Sequence, residues 1–411
     1  MSQLRTWSII AVTLAVAAIS GADALNHAGG RLFPELARTL PVNDGFAETR
    51  WAESVIARNF KPGAVPKLVL DGHERRQVVR LVRDGYRREP LNNGALRDLA
   101  LVYDSDGRHA KARRLMRASE RLSKRDSATN AWLAGDYGRL GRSSEALKYY
   151  DQALRTSSQA QDMVLPAMID SLKDDRLVLP VVELLRKRPP WQNLFWGIAP
   201  RYRGSLANLA KVRLEIARSG IPVDRQYDRT LIAELGSARQ FAAATALVRI
   251  LTPAVEAQSE VVYNADFNRS PDYQPFDWEL SLNTFLTTEI DPRAGVLRIS
   301  TFADGSGTVA RQIVALPAQV YTLSVKAVDW DELDKNALYM RLDCAERGSG
   351  GDSRPIYFNR AEFRQGFRKP QSGCIYYALT LYATEQPQQT NNVITLDLIS
   401  LVPGAPAGAA S

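Results

Sequence analysis

The chain has 411 residues, is 45% hydrophobic and 24% charged, and carries a net charge of +8. That composition excludes wholesale disorder, collagen and a polytopic membrane protein, and the length predicts two or three domains. The charge is uneven. Residues 251–411 hold 13 Lys and Arg against 19 Asp and Glu, whereas residues 1–250 hold 40 against 26. A basic half joined to an acidic half predicts two different modules.

Residues 1–25 read as an export segment. Arg5 precedes an apolar and small run from Trp7 to Ser20, and Ala22-Asp23-Ala24 follows as an A-x-A cleavage pattern. Extended to Leu25, the run is long enough for a single membrane anchor. The segment is therefore read either as a cleaved signal peptide or as an anchor, and both place the rest of the chain in the periplasm. Residues 26–70, with Pro34, Pro41, Pro62 and Pro66, read as an irregular linker.

From 71 to 251 apolar residues recur at three and four, the helical period. Gly72–Arg88 reads as one helix. Next, Leu99-Ala100, Tyr103, Gly107, Ala112 and Met116 recur 34 residues later as Leu133-Ala134, Tyr137, Gly141, Ala146 and Tyr150. Alanine lets paired helices approach closely, and glycine turns the chain between them. Met163–Leu172 and Pro180–Arg188 read as a degenerate pair. Leu206–Ser219, Asp228–Leu235 and Ala238–Leu251 read as further helices of one stack. The period and residue types resemble the tetratricopeptide repeat. The proline usual near the repeat end is missing, Lys124 and Ser158 standing there. The resemblance implies a helical solenoid that binds a partner protein.

Two arginine stripes lie on this half. Arg76, Arg80, Arg83 and Arg87 fall on one helical face, and Arg114, Arg117 and Arg121 on another. They read as a solvated face or as a face for an anionic partner: acidic polysaccharide, lipid headgroups or an acidic protein surface. The acidic second half of the same chain is one candidate. No nucleic-acid partner is expected, because no base-reading motif accompanies the charge.

Beyond Thr252-Pro253 the pattern changes to short alternating runs separated by Gly, Pro, Asp and Asn. Val296–Phe302, Thr308–Ala315, Tyr321–Ala327, Ala337–Cys344, Ile375–Ala383 and Val393–Leu401 are predicted strands of a sandwich over 262–403. On Tyr339–Cys344, alternation puts Met340, Leu342 and Cys344 on one face, and Tyr339, Arg341 and Asp343 on the other, wetter one. Cys344 and Cys374, the two cysteines of the chain, are expected to pair outside the cytoplasm, a link worth roughly 3 kcal/mol in the chain-entropy view. Residues 404–411 read as a disordered tail.

Asn264-Ala265-Asp266-Phe267 at the start, Pro317-x-x-x-Tyr321-x-Leu323 in the middle and Leu396-Asp397-Leu398 at the end are similar in order to the galactose-binding-like jelly rolls of carbohydrate-binding modules. The resemblance implies a glycan ligand and a structural calcium held by Asp266 and Asp397. Asn268, standing where an acidic residue is usual, argues against the calcium, and no other cofactor is expected. Trp278, Trp330, Tyr339 and Arg341 are the candidate ligand-binding residues, since sugars stack on aromatic rings. Trp330 lies in the acidic run Asp329–Asp334, which reads as a solvated loop. Neither nucleophile elbow, zinc motif nor phosphate loop occurs, so catalysis is not expected.

The reading is a multidomain protein, an all-α tetratricopeptide-like solenoid followed by an all-β jelly-roll sandwich. It is read as a non-catalytic adaptor of a bacterial cell envelope, in polysaccharide synthesis or export. A pure protein–protein scaffold and a glycan-modifying enzyme are the alternatives.

Overall fold

A computed structural model describes residues 45–61, 67–156, 158–252, 260–282, 285–302, 305–328, 337–347, 353–370, 373–384 and 391–404. The export segment 1–25, most of the tail (405–411) and Trp330 with its acidic run lie outside the described residues. Among the described residues no helix is long and apolar enough to cross a membrane. The chain forms two compact units. One comprises Met1–Met168 with Pro189–Trp191, the other Ile169–Arg188 with Gln192–Ser411.

The first unit begins with α1 (Phe46–Arg58), a two-stranded pairing of β1 (Phe60–Lys61) with β2 (Lys67–Leu68), and α2 (Gly72–Arg88). The stretch expected to be an irregular linker thus contains a packed helix. Its prolines flank residues 46–58 rather than interrupt them, and Ala52, Val55 and Ile56 pack with Val78, Leu81 and Val82 of α2. At the start of α2, Asp71 accepts from the His73 and Glu74 amides while Glu74 reaches back to the Asp71 amide. That reciprocal cap satisfies donors a helix start leaves open.

Two helical hairpins follow, α3 (Asn93–Ser105) with α4 (His109–Leu122), and α5 (Ser127–Arg139) with α6 (Ser143–Leu154). Ala100, Ala112, Ala134, Tyr137 and Ala146 are all buried in one core with Met116 and Leu133, and Tyr103 packs against it. Gly107 and Gly141 take φ of 75° and 69°, which glycine adopts without steric penalty. Each turn then closes alike: the Arg108 amide donates to Tyr103 and the Arg142 amide to Tyr137, both at 2.9 Å. Helix α7 (Ser158–Ser171) carries Pro166 in its interior.

The second unit adds α8 (Val178–Arg186), α9 (Gln192–Ile198), α10 (Leu206–Arg218), α11 (Arg225–Ser237) and α12 (Phe241–Leu251). Arg213 of α10 and Asp228 of α11 form a buried pair at 2.6 and 2.9 Å. The α11–α12 turn has the same closure as the two in the first unit. The Gln240 amide donates to Leu235 at 2.8 Å, and Ala244 is fully buried where Ala112 and Ala146 stand in their hairpins. Here, however, Arg239 occupies the glycine position, at φ 57°.

The sandwich has two five-stranded antiparallel sheets. One orders β10 (Glu362–Arg368), β7 (Val320–Ala327), β12 (Asn391–Pro403), β5 (Val296–Phe302) and β4 (Leu286–Asp291). The other orders β3 (Glu279–Leu280), β6 (Gly307–Ala315), β11 (Tyr376–Ala383), β8 (Leu338–Cys344) and β9 (Ile356–Tyr357). The six predicted strands are all present. Strands β3, β4, β9 and β10 complete the sheets. Inward residues such as Leu297, Ile299, Leu323, Met340, Leu342, Leu379 and Leu381 fill one core. The buried Gln312 side chain bonds both the amide and the carbonyl of Tyr263 at 2.9 Å, so the segment entering the sandwich is tied to its sheet. Cys344 and Cys374 are joined as a disulfide, Cα–Cα 6.0 Å, at the end of β8 and ahead of β11.

The last hairpin lies on the outer face of the second sheet. Phe241 of α12 sits 5.4 Å from the Tyr376 ring and 6.3 Å from Phe276. Gly236 of α11 abuts Pro275, and Arg229 of α11 pairs with Asp272. Helices and sandwich are therefore continuous in this unit.

Candidate functional site

The outer face of the β3-β6-β11-β8-β9 sheet carries an ordered grid of side chains. Cross-strand register aligns Thr308, Tyr382, Tyr339 and Tyr357 in one row. The next row is Glu279, Arg311, Thr380 and Arg341, and the third is Ile313, Ala378 and Asp343. The grid follows from the period of a strand, which sends alternate residues to opposite faces. On β8 the burial alternates as expected: Met340, Leu342 and Cys344 are buried, whereas Tyr339, Arg341 and Asp343 are half-buried.

A cleft of about 710 Å³ runs between these rows and the α11–α12 hairpin, within the range of small-ligand sites. Thr308, Arg311, Thr380, Tyr382, Glu279 and Asp343 line it from the sheet, and Gly236, Arg239 and Phe241 from the hairpin. The Tyr382 and Tyr339 rings stack at 4.9 Å with an interplanar angle of 9°, and Tyr357 lies 5.3 Å from Tyr339. Tyr339 covers one face of Tyr382, and Tyr382 itself lines the cleft beside its register partner Thr308. Burial pushes the Tyr339 phenol up, so it remains a neutral donor and acceptor. Asp343 accepts from the Ser353 hydroxyl at 2.8 Å and lies 3.6 Å from Arg341 Nη2. The Arg341 Nε is buried with no hydrogen-bond partner among the described residues.

The ligand-binding candidates named from the sequence separate in space. Tyr339 and Arg341 belong to the grid. Trp278 does not: it is fully buried, its Nε1 donates to the Asn264 carbonyl at 3.1 Å, and its ring packs 5.8 Å from Phe267. With no open face it is a core residue, a correction to its reading as a sugar platform. Its neighbour Asp277 is buried as well, accepting from the Asp272 and Trp278 amides at 2.9 and 2.7 Å, and burial pushes it up to about 6. Trp330 lies outside the described residues. Asp266 and Asp397 are both exposed. Asp266 accepts from Asn268 Nδ2 at 2.6 Å. Among the described residues neither joins a group of three potential metal ligands; Cys344, Glu346 and Cys374 form such a group, but the disulfide occupies both sulfurs.

Sequence reasoning missed Tyr382, Tyr357, Thr380 and Arg311. The predicted strand Ile375–Ala383 held the signal for Tyr382 and Thr380, but all residues of β11 except Tyr376 and Tyr382 are buried, so the strand does not read as having a wet face. The stripes sit as expected on helix surfaces. Arg76, Arg80, Arg83 and Arg87 are exposed on α2, and Arg114, Arg117 and Arg121 on α4. Arg87 lies 3.7 Å from Asp84. In the first unit, Arg97 is mostly buried and pairs with Glu53, Asp98 and Asp126, so its charge is satisfied within the fold.

No family model matches the chain, and no curated protein matches it. A solved carbohydrate-binding module (CBM61), in complex with beta-1,4-galactotriose, aligns with 35% of this chain and 99% of its own, at 14% identity and a TM-score of 0.24.

Proposed function

We propose that the chain is a non-catalytic, exported adaptor of a bacterial cell envelope, whose helical hairpins bind a partner protein and whose sandwich binds glycan. Polysaccharide synthesis or export is the setting that joins these two tasks. The observation that carries the glycan half is the tyrosine row beside a polar row in a cleft of ligand size. Sugars present an apolar C–H face and a rim of hydroxyls. A ring face flanked by a threonine hydroxyl, guanidiniums and carboxylates complements both. The exposed arginines of α2 and α4 support an anionic surface on the partner.

Calorimetric titration of the full chain with soluble glycans tests the reading. Heat of binding is expected, and Tyr382→Ala should weaken it at least tenfold, which the about 1 kcal/mol of stability lost with its stack on Tyr339 does not account for. Silence across every glycan class would leave the protein–protein scaffold as the function. Turnover of a glycan, abolished by replacing a cleft carboxylate, would make the chain an enzyme.

A further inference from the structure

We propose that the glycan of this cleft is acidic: a uronate-containing saccharide whose carboxylates pair with Arg311 and Arg341 while one sugar ring stacks on Tyr382. This inference rests on the glycan-binding reading above and names its substrate class.

Three features of the middle row carry it. First, Arg311 is exposed and makes no ion pair among the described residues, although Glu279 is its cross-strand partner. Opposite charges in that register ordinarily attract, yet no Arg311–Glu279 bridge forms, and this leaves the Arg311 head open to a ligand. Second, Arg341 stands on the far side of Thr380 in the same row, beside the cleft lining rather than within it, where an oligosaccharide running along the row would reach it. Its Nε is buried without a partner among the described residues, and the one carboxylate paired with it there, Asp343, is 3.6 Å away and already accepts from Ser353. The Nε itself is enclosed, but the side chain keeps 26% of its surface exposed, so its terminal nitrogens are what a ligand carboxylate would meet. Third, Arg239 lines the opposite wall, exposed, and among the described residues its side chain bonds only the Glu346 carbonyl, at 3.4 Å.

The donor–acceptor balance then selects the ligand. A neutral sugar offers hydroxyls that donate as well as accept, and its sites supply acceptors freely. The charged heads left open here are mainly guanidiniums, which only donate and which match carboxylates through paired N–H bonds. Arg311 and Arg341 are two strands apart, about 9.6 Å at the usual strand spacing, so two carboxylates on one oligosaccharide, rather than one, fill the row. Sulfate or phosphate esters on a sugar share the anionic chemistry and are separated by the test.

The test compares polymers that differ only in the group at issue. Polygalacturonate, polymannuronate and polyglucuronate, each beside its carboxyl-reduced counterpart, and a sulfated galactan are run against the full chain by affinity electrophoresis and calorimetry. At least one polyuronate should bind, at least tenfold more tightly than its reduced form. Arg311→Ala and Arg341→Ala should each lose about tenfold for the uronate and a clearly smaller factor for its carboxyl-reduced counterpart, with the fold intact by circular dichroism. Equal or tighter binding of the reduced polymers, preference for the sulfated galactan, or indifference to both substitutions would overturn the acidic assignment and leave glycan binding intact. No binding of any polymer, neutral or charged, would overturn both.

Discussion

Arg239 gives the sharpest test of how the last helical hairpin is used. It occupies the turn position that Gly107 and Gly141 hold in the hairpins of the first unit, at φ 57° against 75° and 69°. A residue with a Cβ in that left-handed region is disfavoured by about 1–2 kcal/mol. Glycine there would recover that strain but would add about 0.4–1 kcal/mol of unfolded-state freedom. Glycine would also remove the 3.4 Å approach of the exposed arginine side chain to the Glu346 carbonyl, which is too long to contribute much. Arg239→Gly should therefore stabilise the protein by about 0.5–1 kcal/mol. Urea denaturation measures this, with Gly141→Ala as the mirror experiment: a Cβ at Gly141 meets nothing within 4 Å, so only the strain is read, as a loss of similar size. Over the same pair, Arg239→Gly should weaken uronate binding. A loss of stability on Arg239→Gly, with Gly141→Ala behaving as expected, would refute the reasoning, because the arginine would then hold the turn rather than serve the cleft.

Trp278→Ala should destabilise by about 3–5 kcal/mol, as for a large aromatic removed from a core, and it also removes one of the two donors to the Asn264 carbonyl, leaving the Phe267 amide at 3.3 Å; a loss under about 1 kcal/mol in chemical denaturation would restore Trp278 as a surface residue. At Gly236 a Cβ would stand 2.9 Å from the Pro275 ring carbons, so Gly236→Ala should lose about 1–2 kcal/mol net of its helix-propensity gain, whereas Gly138→Ala, with nothing within 4 Å, should gain up to about 1 kcal/mol in the same melts. Asp277, raised from 3.8 to about 6, holds its proton more tightly folded than unfolded, so its contribution is fully present below about pH 4 and is lost as pH rises to 6. The shift amounts to about 3 kcal/mol. Denaturation at pH 4 and pH 7 should show wild type losing more stability than Asp277→Asn over that interval, and parallel profiles would reject the burial argument.

Much of the fold was legible because its signals are local. The 34-residue recurrence reports contacts between neighbouring helices, and Ala100, Ala112, Ala134 and Ala146 are buried where helices meet. The six predicted strands alternate, or run apolar, over seven or more residues. What escaped was short, flanked or exposed. Strands β3 and β9 have two residues each, and β10 reads Glu-Phe-Arg-Gln-Gly-Phe-Arg, an edge strand whose exposed charges hide its pattern. Helix α1 was obscured by prolines on either side. The site was half legible: alternation on β8 delivers Tyr339 and Arg341, but nothing local reports that β6 and β11 set Arg311 and Tyr382 beside them. Register is a property of paired strands. Trp278 misled because tryptophan is as common in cores as at sugar platforms, and its burial is decided by the Asn264 and Phe267 contacts upstream of it.

The charge asymmetry of the chain separates into two scales. The second half is acidic in total, yet the cleft it helps to build is lined by Arg239 and Arg311, with Arg341 in the same row. Fields from exposed acidic groups elsewhere on the sandwich fade over a Debye length of about 8 Å at physiological salt, whereas a carboxylate in contact with a half-buried guanidinium such as Arg341 would be screened less. Net charge therefore does not set the local potential in the cleft; the side chains that line it do. The same reasoning separates the helical half. Arg76, Arg80, Arg83, Arg114, Arg117 and Arg121 are all exposed, so any attraction they exert is long-ranged, weak per residue and salt-sensitive. One chain thus presents a diffuse basic surface on helices and two arginines, Arg239 and Arg311, in a cleft with Arg341 beside it, and raising salt should release any partner of the first well before any ligand of the second.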